Sequence, residues 1–209
     1  MSKERESWEK LYSKRGLQYG GSGDIGLLNE VLKPGMIALD AGCGDGKSTE
    51  VLSKKCEVVG CDFSKEALAS LRSQRDPGHS IDLVECNLIS LPFEPERFDA
   101  IACVHALSHL VRKDRQKASE ELARVLKPGG YMMVEVFGCG DLRYGEGSET
   151  EPSTFVRGSG IMTHYFEEGE VPDLLSSLEI LLEAESVRRV SFGALAGKRH
   201  LFRVFAKKT

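Results

Sequence analysis

The sequence predicts an α/β fold: a doubly wound, mostly parallel sheet with helices on both faces. Five short apolar runs that resemble strands alternate with helix-like segments between residues 37 and 137. Each connection is long enough for the crossover helix that parallel neighbours require. A glycine-rich loop follows the first run and opens a helix. Right-handed crossovers then place a ligand at the carboxyl ends of the first strands.

The individual elements follow from hydrophobic spacing and from turn residues. Strands are predicted at residues 37–39, 57–62, 81–85, 98–104 and 131–137. Helices are predicted at residues 4–18, 24–32, 47–54, 65–73 and 119–126, with Pro-Gly pairs after the second and the last. Ser64 is placed to cap the helix at 65–73.

The pattern changes after Phe137. Residues 138–160 contain six glycines and little periodicity, which predicts a loop or lid. A helix is expected near residues 168–177, and two strand-like runs at 180–190 and 200–206 predict an antiparallel hairpin. We therefore expect one domain over residues 1–209, made of a helical cap (1–33), a cofactor-binding core (34–137), a lid or substrate segment (138–178) and a strand pair (179–209).

Composition limits the class of protein. The chain has 209 residues, of which 41% are hydrophobic and 29% charged, as in an ordinary globular domain. The six cysteines form no C-x-x-C pair, the first ten residues are charged, and no apolar run is long enough to span a bilayer. These features predict a reduced, cytoplasmic protein without a membrane segment.

The charge is unevenly placed along the chain. From residue 146 to 185 there are ten acids and one base, whereas from 186 to 209 there are seven bases and no acid. The basic segment is either a surface for an anionic substrate or RNA, or an outward-facing strand pair that is incidentally basic.

The loop at residues 38–49 reads ALDAGCGDGKST. A phosphate-binding P-loop needs glycine at position 41, where the chain has Ala41, and a dinucleotide fingerprint needs glycine at position 47, where it has Lys47. The carboxylate of Asp40 would repel a diphosphate, but it suits a ligand with an ammonium group. The loop therefore favours a ligand with an amino-acid end.

Two later positions complete a nucleoside site. Asp62, at the end of the second strand, can accept hydrogen bonds from ribose hydroxyls, and Phe63 can pack on an adenine. Asn87 and the backbone of Leu88 can bind the adenine edge. The alternative roles are turn capping by Asp62 and turn formation by Asn87. Amino-acid end, ribose and adenine together describe S-adenosylmethionine.

The stretches VLKPGMIALDAGCGDGKST, VVGCDFSKEAL, CNLISLPFEPERFDAIACVHALSHL and RVLKPGGYMMVEVFG resemble the class I (Rossmann-like) S-adenosylmethionine-dependent methyltransferases over residues 34–137. The resemblance implies a seven-stranded sheet with a terminal antiparallel strand. It implies that the segment 40–46, with Gly42, Cys43, Gly44 and Gly46, lies under the methionine end of the cofactor. It also implies Asp62 on the ribose, Asn87 near the adenine and Val104-His105 beside the methyl donor. Asn87 departs from the aspartate that is usual in the family.

The acceptor is less clearly defined. An Asn-Pro-Pro-Tyr motif and a Pro-Cys nucleophile are absent, which disfavours amino methylation of adenine or glutamine and 5-methylpyrimidine chemistry. His105 is the candidate catalytic base, and Tyr19 is a candidate cofactor contact. The candidate substrate contacts are His109, Arg143, Tyr144 and His164. His105 and His109 are four residues apart and would share a helix face, but a third metal ligand is lacking, so no metal site is predicted.

Three functions are compatible with these features. The leading one is methylation of a small-molecule acceptor, since a glycine-rich lid suits a sequestered substrate. The alternatives are an RNA or protein methyltransferase that needs a partner subunit, and a non-catalytic protein that binds S-adenosylmethionine. The oligomeric state is not predicted.

Overall fold

The computed structural model describes residues 3–15, 24–192 and 195–209. The strands are β1 (Ile37–Ala41), β2 (Glu57–Asp62), β3 (Ile81–Glu85), β4 (Phe98–Val104), β5 (Leu126–Phe137), β6 (Ser148–Glu151), β7 (Thr154–Val156), β8 (Met162–His164), β9 (Glu179–Phe192) and β10 (Leu195–Lys207). The α-helices are α1 (Lys3–Arg15), α2 (Leu28–Val31), α3 (Lys47–Ser53), α4 (Lys65–Gln74), α5 (Arg112–Val125) and α6 (Glu170–Leu174), and a 3₁₀ turn spans Ala106–His109.

The main sheet has seven strands in the order β3-β2-β1-β4-β5-β10-β9. Strands β1 to β5 are parallel, and β10 runs antiparallel to both of its neighbours, β5 and β9. This arrangement confirms the predicted doubly wound sheet with a C-terminal antiparallel hairpin. The order reverses between β1 and β4, so the crevice at their carboxyl ends is the expected ligand site.

The two faces of the sheet carry separate apolar clusters. On one face, residues such as Leu39, Ile101 and Val134 pack with Leu122 of α5. On the other, residues such as Ala38 and Met133 pack with α2 and α3. Alternate residues of a strand point to opposite faces, so both faces of this buried sheet are apolar. In the described ranges, no helix combines the length and apolar character that crossing a membrane requires.

The predicted strands 57–62, 81–85 and 98–104 match β2, β3 and β4 residue for residue. Three helices differ from prediction, and one of them, expected near residues 168–177, is limited to α6 at Glu170–Leu174. Helix α5 begins at Arg112, seven residues before the predicted start, because its first turns are polar and lack an apolar stripe. The predicted helix at 24–32 is reduced to Leu28–Val31, because Gly26 adopts a left-handed backbone with φ of 51°.

The segment after β5 is more ordered than predicted. Instead of an irregular loop, it contains a second, antiparallel sheet in the order β6-β7-β8, followed by the short helix α6. These strands have only three or four residues each, which is too short for hydrophobic alternation to reveal them in the sequence. We call this second sheet the lid sheet.

Hydrogen bonds from the start of α4 to the carboxylate of Glu9 help to fix helix α1 to the core. Glu9 accepts hydrogen bonds from Lys65 N (2.9 Å), Glu66 N (3.0 Å) and the Ser64 hydroxyl (2.8 Å), all at the start of α4. Ser64 itself accepts from Ala67 N at 3.2 Å, as its predicted capping role requires. Burial alone would raise the pKa of Glu9, but these hydrogen bonds and the charge of Arg5 outweigh it, so the net pKa is lowered.

Replacing Glu9 by Gln is expected to reduce the free energy of unfolding by about 1 kcal/mol, because a charged cap of a helix N-terminus is lost. A lowered pKa stabilises the fold at neutral pH, and the stabilisation disappears as pH falls through the folded-state pKa. The wild-type advantage over Glu9→Gln should therefore vanish in acid. Urea unfolding at pH 7 and pH 4 measures it, with exposed Glu6→Gln on the same helix as the matched control. Equal loss in both variants would contradict the capping role.

Candidate functional site

The glycine loop joins β1 to α3 in the crevice where the strand order reverses. Gly42, Gly44 and Gly46 all have φ in the left-handed region, at 74°, 53° and 95°. A side chain is excluded at Gly42 in particular, because its Cβ would lie 2.5 Å from the Cβ of Ala106. The N–H groups of Gly42 and Cys43 both donate to the Cys61 carbonyl of β2, at 2.8 and 2.9 Å. The loop is thus pinned to the neighbouring strand.

Two buried carboxylates border this loop. Asp40 is 1% exposed and accepts from the Thr49 hydroxyl at 2.6 Å. Asp62 is 7% exposed and accepts from Gly44 N and Ser64 N, both at 2.9 Å. Burial raises the pKa of Asp40 to about 7 and that of Asp62 to about 6. In both cases the hydrogen bonds oppose the shift without cancelling it.

Because burial disfavours their ionised forms, both carboxylates would be stabilised by a cation or by further hydrogen-bond donors. Within the part of the chain that the structure describes, neither carboxylate forms an ion pair. A buried carboxylate without a cation is costly unless a ligand supplies donors. An ammonium group near Asp40 and two ribose hydroxyls at Asp62 would supply them. The residues therefore fit the amino-acid and ribose portions of S-adenosylmethionine.

These raised pKa values predict that cofactor binding depends on pH. Burial raises the pKa of both carboxyls, to about 7 for Asp40 and about 6 for Asp62, so each takes up a proton as the pH falls through that value. The charge of Asp62 adds to the shift of Asp40, and the charge of Glu9 adds to the shift of Asp62. Donors on the ligand favour the ionised forms, so binding must release protons. We expect affinity for S-adenosylhomocysteine to fall about tenfold from pH 8 to pH 6. Calorimetry in buffers of different ionisation enthalpy measures both effects, and a flat profile would contradict the assignment.

Helix α1 covers the loop from above. The Tyr12 hydroxyl approaches Gly44 so closely that a Cβ there would lie 2.5 Å from it. Trp8 and Tyr12 form an apolar cluster with Ile161, and Phe63 packs against that cluster. Phe63 thus lies under the cap of α1, and its contact with adenine stays a prediction. Tyr19, the predicted cofactor contact in this region, lies outside the described residues.

Asn87, Leu88 and Val104 are the residues predicted near the adenine and the methyl donor. Asn87 is exposed, and its side-chain oxygen accepts from Ile89 N at 3.2 Å, so the turn-forming role is present. Leu88 is buried close to Gly42, and Val104 ends β4 beside the loop. Contacts of Asn87, Leu88 and Val104 with the cofactor stay predictions.

His105 and His109 do not share an α-helical face, contrary to expectation. His105 precedes the 3₁₀ turn, with a left-handed φ of 61°, and His109 ends that turn. The His105 ring stacks on Phe137 at 4.2 Å, with the planes 11° apart. His109 packs edge-on against Trp8 at 4.8 Å and bonds through Nδ1 to the Met162 carbonyl at 2.7 Å. A residue with strained backbone beside a ligand crevice is a functional candidate.

Behind His105 lies a charged network that the sequence interpretation missed. Glu135, 7% exposed, lies 3.4 Å from His105 Nε2 and also binds the guanidinium of Arg203, which reaches Asp24 at 2.8 Å. The signal was present in the sequence: Glu135 is the one acid in the apolar run YMMVEVF. A buried acid in a strand requires a partner.

The remaining predicted substrate residues lie on the lid side. The backbone carbonyl of Arg143 accepts a hydrogen bond from the Tyr165 hydroxyl at 3.0 Å. The side chain of Tyr144 is 44% exposed and packs edge-on against Phe155 and Tyr165. Arg199 of β10 lies over the Phe137 ring at 4.9 Å and pairs with Asp141 at 3.1 Å. Arg199 belongs to the basic segment 186–209 that was predicted as a surface either for an anionic substrate or RNA or without such a role.

His164 has a different environment from the one predicted. It is 4% exposed, and its ring nitrogens bond to the Thr154 hydroxyl (2.8 Å) and to Glu170 (2.9 Å). Both nitrogens are thus used to join the lid sheet to α6. Neither ring nitrogen is therefore left to contact a substrate.

The chain is similar to known methyltransferases in sequence and in structure. A family model described as a methyltransferase domain matches residues 39–134. A SAM-dependent methyltransferase structure from Methanosarcina mazei superposes with a TM-score of 0.75 at 26% identity, over 90% of this chain and 99% of that one. The chain contains a class I S-adenosylmethionine-dependent methyltransferase domain.

Curated relatives of this methyltransferase are longer proteins. The tRNA N(3)-methylcytidine methyltransferase Mettl2 of Drosophila melanogaster is 31% identical over 163 residues, covering 70% of this chain and 49% of its own length. A probable tRNA methyltransferase 9B of Homo sapiens is 37% identical over 106 residues, covering 50% of this chain and 22% of its own. The methyltransferase thus spans about half or less of these relatives. Its cofactor is S-adenosylmethionine, as predicted.

Proposed function

We propose that this methyltransferase transfers the methyl group of S-adenosylmethionine to a nucleobase of RNA, with tRNA as the substrate class. The supporting observation is the 163-residue similarity to a tRNA N(3)-methylcytidine methyltransferase. That similarity is longer than the matched family region, so it extends beyond the cofactor-binding core. The small-molecule acceptor that the sequence pattern favoured has no support from these relatives. The alternative of an RNA acceptor agrees with their names as tRNA methyltransferases.

The ring stack of His105 on Phe137 is a suitable platform for a planar acceptor. It stands at the carboxyl ends of β4 and β5, next to the predicted methyl-donor position. Enzymes that modify bases hold the target nucleotide out of the stack against aromatic side chains. His109 and Trp8 close one side of this platform, which helps to exclude water.

His105 is better suited to stacking than to proton removal. Burial lowers its pKa, and repulsion from His109, Arg199, Lys47 and Arg203 lowers it further. The imidazole is therefore neutral at physiological pH, but a lowered pKa also makes it a weak Brønsted base. About a third of the side chain, 33%, is exposed, which leaves part of the ring accessible to an acceptor.

The roles of the chain's own groups follow from these positions. S-adenosylmethionine would supply its sulfonium-bound methyl group to an acceptor lone pair, with S-adenosylhomocysteine as the leaving group. In this proposal Asp40 and Asp62 hold the amino-acid and ribose parts of the donor, the glycine loop leaves space for it, and His105 orients the acceptor. Orientation of this kind is the main contribution expected of a methyltransferase fold.

The test is transfer of radiolabelled methyl groups from S-adenosylmethionine into a cell extract fractionated into RNA, protein and small molecules. We expect label in the tRNA fraction, in one nucleoside after digestion, and none with Asp62→Ala. Label confined to small molecules or to protein would refute the proposal.

A further inference from the structure

The hairpin of β9 and β10 extends beyond the main sheet. Strand β10 pairs with β5 only from Leu201 to Lys207, whereas its pairing with β9 continues to Leu195. On the β5 side, the extension is held by the loop after β5, through the hydrogen bond from Leu142 N to the Lys198 carbonyl (2.7 Å). We call the described residues 187–191 and 196–199 the arm.

The arm brings like charges together. Arg188 is directly opposite Arg199, and on the next rung Arg189 is opposite Lys198. Adjacent rungs of a hairpin point to opposite faces, so each face of the arm carries a facing pair of cations. Like charges directly opposite each other destabilise a hairpin. Folding alone therefore does not account for this pattern.

Nearby acids neutralise only part of the charge. Arg199 pairs with Asp141, Arg188 interacts electrostatically with Asp24, and Glu185 binds His200 at 3.0 Å. Arg189 and Lys198 are exposed and have no ion pair in the described part of the chain. The arm is thus cationic although the chain carries a net charge of −4.

The arm also adjoins the candidate acceptor platform. Arg199, which belongs to the arm, lies 4.9 Å over the ring of Phe137, on which His105 stacks. A polyanion that lies along the arm therefore reaches the point where methyl transfer is proposed.

We infer that the arm binds the sugar-phosphate backbone of the RNA substrate through Arg188, Arg189 and Lys198. The inference rests on the proposed function and identifies the surface that holds the substrate. Phosphate contacts of this kind position a nucleic acid without reading its sequence, and they displace counterions. We favour RNA over an acidic protein because the cations lie on both faces of a narrow arm. The repeated phosphates of an RNA backbone can pair with cations on both faces.

The test compares two triple variants in tRNA binding over a series of salt concentrations, measured by fluorescence anisotropy. Arg188→Gln/Arg189→Gln/Lys198→Gln removes the three exposed cations of the arm. Lys33→Gln/Lys55→Gln/Arg72→Gln removes three exposed cations near the opposite, amino-terminal edge of the sheet. We expect the arm variant to bind at least about tenfold more weakly at 0.1 M salt and to lose about 2 to 3 units of the log–log salt slope. The control should match wild type, and both variants should bind S-adenosylhomocysteine normally.

The outcomes separate this inference from the proposed function. An unchanged slope in the arm variant, an equal loss in the control, or no salt-dependent binding by wild type would each overturn the arm as an RNA surface. Binding that depends on the arm, in a protein that labels no nucleoside, would keep the surface and refute the RNA acceptor. If wild type labels RNA and the arm variant binds tRNA as well as wild type does, the RNA acceptor is supported and the arm is refuted as the RNA surface.

Discussion

Asp62→Ala is expected to reduce affinity for S-adenosylhomocysteine by at least about 100-fold. We assign the carboxylate two tasks: it accepts from Gly44 N and Ser64 N, which fixes the glycine loop, and its remaining lone pairs are proposed to accept from the ribose hydroxyls. A hydrogen bond to a charged group contributes about 1.5 to 3 kcal/mol, so losing two of them accounts for the effect. Calorimetric titration at pH 8, where the carboxyl is ionised, measures it.

Two further variants make this result specific. Asp62→Asn keeps an oxygen acceptor but loses the charge, so we expect an intermediate loss. Asp82→Ala, on exposed β3, is the matched control and should bind like wild type. Undiminished binding by Asp62→Ala with unchanged circular dichroism would remove the basis of the cofactor assignment.

His105→Asn is expected to lower kcat/KM for RNA methylation about 10- to 100-fold, whereas His105→Phe should retain most activity. Stacking of a base on an aromatic side chain contributes about 1 to 3 kcal/mol, and only the Phe variant keeps a ring over Phe137. Asparagine tolerates the left-handed φ of 61° at this position, whereas phenylalanine adopts it at a cost, so both variants must match wild type in circular dichroism and cofactor binding before their activities are compared. Single-turnover methylation under saturating cofactor measures the effect.

The same pair of variants distinguishes a platform from a general base. If His105 removes a proton, both variants lose activity equally and the residual rate rises with pH. If it stacks, His105→Phe keeps the wild-type pH profile. Equal inactivation of the two variants, with normal cofactor binding, would therefore overturn the platform role.

Much of the fold was accessible from local sequence pattern. Strands β2, β3 and β4 matched prediction because each is a short apolar block between turn residues, a signal contained within the block itself. Asp40 and Asp62 were identified for a related reason. A parallel sheet brings the ends of successive strands to one edge, so their position in the chain implied their proximity in space.

Other features depended on contacts between distant segments. Tyr12 lies over Gly44, although the two residues are 32 positions apart in the chain. Their contact depends on the packing of α1 against α4, to which the hydrogen bonds of Glu9 contribute. The short strands of the lid sheet carry no periodic signal of their own. The early start of α5 was hidden because its first turns are polar, including the buried Arg115, and carry no apolar stripe.

The sequence by itself determined the sheet, the glycine loop and the class of cofactor, because those depend on local patterns and on the connectivity of parallel strands. The acceptor side was decided only by the tertiary structure. Glu135 behind His105, the His105–Phe137 stack and the like-charged rungs of the arm arise where separate strands and loops meet. Side-chain packing and cross-strand register create those neighbours, and neither is encoded in the spacing of residues along one segment.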